Sequence, residues 1–330
     1  MNLFNKSLLT LKDFTKEQII YFLDLADYLK AKKKSGEIKP LLEGKNIVLI
    51  FDKPSTRTRC AFEVAAFDEK ANVTFLTNSQ MNKKESIEDT AKILGSYYDA
   101  IEYRGSSTHI VQQLQAFSGV PVYNGLTDDD HPTQVLADFM TVREKIKKPL
   151  NEIKFTYVGD GRNNMARALA IGAAKVGMKL TIVTPAELFP PKGFKEEIDN
   201  INRDSVEIRS DLLGGVKHSD VIYTDVWFSM GEEDQLEKRI ALLQPYQVNK
   251  KLIKATKNPK VIFMHCLPAF HDLETEVAQQ VYRNHKIKEM EVTDEVFRGD
   301  HSVVFDQAEN RIHTIKAVMV ATLNKDFSLD

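Results

Sequence analysis

Short apolar runs alternate along this chain with segments of helical periodicity, and that alternation constrains the fold more than any other feature. Asn46–Phe51, Val73–Leu76, Ala100–Tyr103 and Val120–Tyr123 read as strands in the first half, and Ile153–Val158, Leu180–Val183, Val221–Val226 and Val261–His265 in the second. Helical patterns lie between them at Cys60–Lys70, Ser86–Tyr98, 107–117 and 165–176. An amphipathic helix over 15–34, capped by Thr15 and stopped by Gly36, precedes the first strand, and a long one over Ala308–Leu323 ends the pattern. Parallel neighbours need a helical return connection, so strand–helix alternation predicts parallel sheets flanked by helices, the α/β class. A chain of 330 residues suits about two such domains. The charged, proline-containing stretch Lys145–Asn151 is the natural boundary.

Composition excludes several function classes. The net charge of −2 offers no general attraction to nucleic acid or to an anionic membrane, so any anion site must be a local cluster. Cys60 and Cys266 are the only cysteines, too few for a disulfide framework, and a reducing cytoplasm is the expected compartment. Met1–Lys6 lacks the apolar core of a signal peptide, and no apolar run approaches the ~20 residues that span a bilayer.

Five places gather chemistry. Ser55-Thr56-Arg57-Thr58-Arg59 stands between a strand and a helix, with Ser55 as the candidate N-cap. Hydroxyls, two guanidiniums and free backbone N–H groups at a helix N-terminus make an anion site; the alternative is a capped helix with solvated arginines. His131-Pro132-Thr133-Gln134 opens another helix after an acidic turn, and His131 and Gln134, three apart, can face one spot; an exposed histidine on a capped helix is the alternative. Gly159-Asp160-Gly161-Arg162-Asn163-Asn164 resembles a dinucleotide turn, but Asn164 stands where the third glycine belongs and Glu187 is only an uncertain acidic partner. Tight strand-to-helix packing is the better reading of those glycines. Asp225-Val226-Trp227-Phe228-Ser229-Met230-Gly231 and His265-Cys266-Leu267-Pro268 both follow strands. Asp225 can hold an amine. His265 and Cys266 are too few for a structural zinc site, and adjacent strand residues face opposite ways, which suits a nucleophile and its base poorly.

Together these motifs, with Glu102-Tyr103-Arg104-Gly105 and Ala308-Glu309-Asn310-Arg311, resemble the ornithine carbamoyltransferases, in that family's order and over nearly the whole chain. The resemblance implies transfer of the carbamoyl group of carbamoyl phosphate to the δ-amine of L-ornithine, giving L-citrulline and phosphate, with no metal or organic cofactor. It implies two α/β domains joined by two interdomain helices, the one after His131 and the C-terminal one, with the active site between them. The carbamoyl phosphate domain would be 1–147 plus 312–330 and the ornithine domain 148–311. Carbamoyl phosphate would bind first, and the domains would close on ornithine. The partners implied are the two small substrates and further copies of the chain, as a homotrimer or a multiple of trimers; no nucleic acid and no membrane are implied.

Residue by residue, the resemblance implies that Ser55, Thr56, Arg57 and Thr58 hold the phosphate. Arg104, His131 and Thr58 would aim at the carbonyl oxygen, and Gln134 would bind the carbamoyl NH₂. Gln80 would contribute from a neighbouring subunit, and Arg311 would reach the site from the last helix. Asp225 would pair with the ornithine α-ammonium; Asn164, Ser229 and Met230 would complete that pocket; Cys266 and the Leu267 carbonyl would sit beside the δ-amine. Arg104, His131, Asp225 and Cys266 are the expected catalytic set. Putrescine and N-acetylornithine carbamoyltransferases are the near competitors, and Asp225 with Ser229-Met230-Gly231 favours a free α-amino acid. An aspartate enzyme would need a more cationic pocket. A non-catalytic carbamoyltransferase-like binding protein and a dinucleotide dehydrogenase are the readings from other classes. The segment Val304–Lys316 looks like that of the catabolic members, which run the reaction in reverse in arginine degradation.

Overall fold

The structure is a computed structural model that describes residues 2–37, 39–228 and 236–329. It divides into two compact units: Met1–Met140 with Glu309–Asp330, and Thr141–Ala308. The expected boundaries, after 147 and after 311, lie a few residues further along the chain.

The first unit begins with α1 (Lys16–Ser35). Thr15 starts it with a capping box, its hydroxyl accepting from the Gln18 N–H and the Gln18 side chain accepting from the Thr15 N–H, and Gly36 ends it in the left-handed region. Then follow β1 (Asn46–Phe51), α2 (Arg57–Asp68), β2 (Asn72–Leu76), α3 (Ile87–Tyr97), β3 (Ala100–Arg104), α4 (Thr108–Ser118), β4 (Val122–Leu126) and α5 (Pro132–Lys145). The four strands form one parallel sheet in the order β2-β1-β3-β4. Because side chains alternate across a strand, Val48, Ile50, Ile101, Tyr103 and Val122 pack on one face with Ala91 and Leu94 of α3 and Val111 and Leu114 of α4. Glu102 and Arg104 therefore belong to the other face.

The second unit runs through β5 (Lys154–Val158), α6 (Asn164–Val176), β6 (Lys179–Val183), α7 (Phe194–Ile201), β7 (Val206–Arg209), α8 (Leu212–Gly215), β8 (Val221–Thr224), α9 (Leu236–Leu243), α10 (Lys250–Ala255), β9 (Ile262–His265), α11 (Glu276–His285) and α12 (Asp294–Phe297). Its sheet is parallel throughout, in the order β7-β6-β5-β8-β9. Strand β7 had no counterpart in the sequence reading: its burial is partial, so no continuous apolar run marks it. The last helix, α13 (Val304–Leu323), begins a turn earlier than its apolar pattern suggested. Both α5 and α13 run through the division between the units.

Two parallel sheets flanked by helices are thus the fold. Each has one topological switch point, where the strand order reverses: between β1 and β3 in the first unit, and between β5 and β8 in the second. Ligands of open α/β sheets bind outside the carboxyl ends of strands at such points. No helix among the described residues is long and apolar enough to cross a membrane.

Candidate active site

In the first unit the switch point collects the polar residues that sequence singled out. Phe51, the last residue of β1, is in register with Arg104 at the end of β3. The chain leaving β1 turns at once into α2, which starts at Arg57 and not at Cys60 as the pattern suggested. Thr56 occupies the cap position without a side-chain cap bond, and the Ser55 hydroxyl accepts from the Thr58 N–H at 3.3 Å. Ser55 therefore caps the helix as expected, one residue further out. The rest of that first turn carries N–H groups with no intrahelical acceptor, the usual basis of anion binding at a helix start.

Thr58 is buried, and its hydroxyl accepts from Arg104 Nη1 and from Arg311 Nη2, each at 3.1 Å. Arg311 is the hub of this group. Its Nη1 donates to Gln134 Oε1 at 2.8 Å and lies 3.4 Å from His131 Nε2, and its Nη2 lies 3.3 Å from the Thr133 hydroxyl. Gln134 Nε2 in turn donates to Asp138 Oδ1 at 2.8 Å. His131, Gln134 and Arg311 are all buried. Burial, reinforced by the cations Arg311, Arg104 and Arg57, holds the His131 imidazole well below its usual pKa, so it is neutral. Neutral imidazole and three guanidiniums suit a dianionic substrate whose carbonyl acquires negative charge.

Gln80 lies apart from this group among the described contacts. It is exposed, and its backbone carbonyl accepts from Lys83 and Lys84 in a tight turn.

In the second unit, α6 begins at Asn164, and Asn163 caps it by accepting from the Met165 N–H at 2.7 Å. The glycine turn before it is a packing device: a Cβ at Gly161 would lie 2.8 Å from the Leu188 carbonyl oxygen and 2.9 Å from Thr184 Cγ2. Asp160 is buried and paired with Arg239 Nη1 at 2.5 Å, and it accepts from the Arg162 N–H. Across the switch point, Asp225 follows β8. It is buried; its Oδ1 accepts from the Val226 N–H at 2.8 Å and from the Cys266 thiol at 3.0 Å. Asp225 and Cys266, 41 positions apart, thus meet at the ends of β8 and β9. Leu267 is half-buried, with φ +59. Trp227 anchors the loop after Asp225 by packing into a cluster with Leu188, Leu243 and Met290. Ser229 and Met230 lie outside the described residues.

Several residues of these groups escaped the sequence reading. Asp138 is one helical turn beyond Gln134, a spacing that signals a side-chain pair. Arg239 carries no such local signal. Glu102 sat inside a recognised motif without a role; it is fully buried, its carboxylate has no hydrogen-bond partner among the described residues, and burial pushes it well above the usual carboxylate range against the pull of Arg104 and Arg311.

Two units built on parallel sheets, with an anion-binding group at one switch point and a carboxylate–thiol pair at the other, fit a two-domain transferase of an anionic donor and an amine. The model of the aspartate/ornithine carbamoyltransferase carbamoyl-P binding domain matches residues 6–144, and that of the Asp/Orn binding domain matches residues 151–322. The chain belongs to the aspartate/ornithine carbamoyltransferase family.

Three of its relatives are ornithine carbamoyltransferases. It is 57% identical over 330 residues to an ornithine carbamoyltransferase of Staphylococcus aureus strain Newman, covering 98% of this chain and 99% of the relative. It is also 57% identical, at the same coverage, to a catabolic ornithine carbamoyltransferase of Streptococcus agalactiae. The ornithine carbamoyltransferase of Pyrococcus furiosus superposes with a TM-score of 0.89 at 40% identity, covering 98% of this chain and 99% of that one.

Proposed function

We propose that this enzyme carries the carbamoyl group of carbamoyl phosphate to the δ-amine of L-ornithine, forming L-citrulline and phosphate. The observation that carries the reading is the pair of switch-point groups, Thr58–Arg104–Arg311–His131–Gln134 in one unit and Asp225–Cys266 in the other. In this proposal Ser55, Thr56, Arg57 and Thr58 hold the phosphate through first-turn N–H groups, hydroxyls and a guanidinium. Arg104, His131 and Thr58 face the carbonyl oxygen, which becomes an oxyanion as the amine attacks. Gln134 and the Leu267 carbonyl take the carbamoyl NH₂ and the amine hydrogens. Arg311 supports the phosphate group's ligands, and Gln80 belongs to the site of a neighbouring copy. Asp225 receives the α-ammonium of ornithine, with Asn164, Ser229 and Met230 around it, and Cys266 beside the δ-amine.

The attacking nitrogen must be neutral, whereas a free alkyl amine titrates near ~10.4 by the lysine reference. Nearby guanidiniums lower that value by repulsion. The amine nitrogen forms the new bond to carbon, the bond from carbon to the phosphate oxygen breaks, and the departing phosphate accepts the surplus proton. The leaving group is already activated, so positioning and electrostatics suffice and no metal or organic cofactor is invoked.

The catabolic name of the Streptococcus agalactiae relative supports use in reverse, phosphate cleaving citrulline to supply carbamoyl phosphate. A cytoplasmic location and assembly as a trimer or a multiple of trimers complete the proposal. The test is a citrulline assay with carbamoyl phosphate and, in turn, L-ornithine, putrescine and N-acetyl-L-ornithine. Turnover with ornithine alone is expected. Turnover with putrescine alone would overturn the role of Asp225, and none with any amine would leave only a binding protein. Sigmoidal saturation by carbamoyl phosphate is expected of the catabolic role, and light scattering reads the assembly.

A further inference from the structure

Tyr103 of β3 lies on the sheet face opposite Glu102 and Arg104, fully buried among Ile50, Val111 and Leu114. Its partner in register on β1 is Ile50. Side chains alternate along a strand, so Asp52, two residues beyond Ile50, comes up on the same face as Tyr103. The Tyr103 hydroxyl donates to Asp52 Oδ2 at 2.8 Å. In the turn after β3, the Ser107 backbone N–H faces the phenol oxygen. Burial and the Asp52 carboxylate push the phenol well above its ordinary range, so it keeps its proton and acts as the donor. Gly105 leaves room for this hydroxyl: a Cβ there would stand 2.1 Å from it.

Asp52 is held twice by the end of β3. Its own N–H donates to the Arg104 carbonyl at 2.9 Å, extending the β1–β3 ladder by one bond, and its carboxylate takes the Tyr103 hydroxyl. Only Lys53 and Pro54 separate it from Ser55, where the anion-binding turn begins. Lys53 also pairs with Asp128, at 3.0 Å, but both side chains are open to solvent, and exposed ion pairs hold a loop weakly. A buried phenol on a carboxylate is the stronger tie, since charge-assisted hydrogen bonds are about twice as strong as neutral ones. The placement of the first turn of α2 against Arg104 is therefore set at Asp52.

We propose that Tyr103, acting through Asp52, is a positioning residue for carbamoyl phosphate: it fixes the Ser55–Thr58 turn, which takes the phosphate, against Arg104, which takes the carbonyl oxygen. The inference rests on the reading of those residues as the ligands of the carbamoyl donor. Tyr103 faces away from them and touches no substrate in this scheme. Two ends of one small molecule must be met at once, one from each strand end, and errors of about 1 Å in placement can cost on the order of 10²-fold in rate.

Tyr103→Phe removes the hydroxyl and keeps the ring in its core. Asp52→Asn keeps an oxygen that accepts from the hydroxyl, and Asp52→Ala does not. Carbamoyl phosphate binding would be measured by calorimetry on the full-length wild type, the three single variants and the double variant Tyr103→Phe/Asp52→Ala, with thermal midpoints and the ornithine KM at saturating carbamoyl phosphate as companions. The expected result is a carbamoyl phosphate Kd raised roughly tenfold in Tyr103→Phe and in Asp52→Ala, and within about threefold of wild type in Asp52→Asn. The double variant should bind no more weakly than either of its parents, because both changes remove the same bond. The ornithine KM should stay near wild type throughout. A Kd in Tyr103→Phe within about twofold of wild type would overturn the proposal. So would losses that multiply in the double variant, or a loss in Asp52→Asn equal to that in Asp52→Ala. Asp52 is exposed, so its two variants decide the matter should Tyr103→Phe prove too unstable to assay. Failure of the wild-type enzyme to bind carbamoyl phosphate would instead defeat the underlying reading, and that control is independent of every variant.

Discussion

Arg311 donates from Nη1 to the Gln134 amide oxygen at 2.8 Å, joining residues 177 positions apart in the sequence. The bond orients Gln134, whose amide nitrogen is then directed to Asp138. The same guanidinium donates to the Thr58 hydroxyl, so one side chain ties acceptors from α2 and α5. An Arg311→Leu variant should lose on the order of 10²–10³-fold in kcat/KM for carbamoyl phosphate, the range typical of one missing oxyanion-side donor. Initial-rate kinetics with saturating ornithine would measure it. A loss below tenfold would remove Arg311 from the group that acts on this substrate.

Asp225 offers a test that separates charge from hydrogen bonding. Asparagine keeps an oxygen for the Cys266 thiol and the Val226 N–H, but it cannot neutralise an ammonium. Hydrogen bonds to charged groups contribute about 1.5–3 kcal/mol. Asp225→Asn should therefore raise the ornithine KM by roughly 10–100-fold, with carbamoyl phosphate binding near wild type. An unchanged ornithine KM would show that the α-ammonium binds elsewhere.

Gly125 and Glu102 form a steric pair in the first unit. A Cβ built at Gly125 would stand 1.7 Å from Glu102 Oε1. The strand pairing of β3 with β4 leaves the carboxylate little room to move. Gly125→Ala should cost about 1–3 kcal/mol of stability as an overpacked core substitution. Adding Glu102→Ala should recover a good part of that loss, since the two residues touch. Urea unfolding midpoints of the two single variants and the double variant would decide; strictly additive losses would contradict the steric pairing.

His313 predicts a sensitivity to acid. Its buried imidazole is pushed down to about 3, by burial first and then by the cations Lys30, Lys316 and Lys33. The nearby carboxylates are Asp68 and Glu309, the latter 3.6 Å from Nε2. Below its ordinary value of 6.5 the unfolded chain takes up a proton that the folded chain refuses. Stability contributed by this group is then complete above about pH 6.5 and falls as the pH drops, by up to about 1.4 kcal/mol per pH unit. His313→Gln should lose less stability than wild type between about pH 7 and about pH 5 in urea titrations. Parallel losses in the two proteins would assign the acid sensitivity to other groups.

Much of this molecule is legible in its sequence. Strands with near-continuous apolar runs, such as Asn46–Phe51, declare themselves because both faces of a parallel sheet are covered. The cap at Thr15 is legible because it depends on a residue three positions away. The motifs at Ser55, His131, Asp225 and His265 are equally local, each sitting where a strand gives way to a loop or helix. β7 stayed hidden because its partial burial leaves no continuous apolar run.

What only tertiary structure decided is which of these motifs share partners. Sequence by itself determined the two parallel-sheet units and the residue types at their switch points, since periodicity and capping act over a few residues. It did not show that Thr58 accepts from both Arg104 and Arg311, that Cys266 donates to Asp225, or that Tyr103 donates to Asp52. Those pairings join positions up to 253 apart, and strand order, which no local pattern encodes, brings them within hydrogen-bond reach.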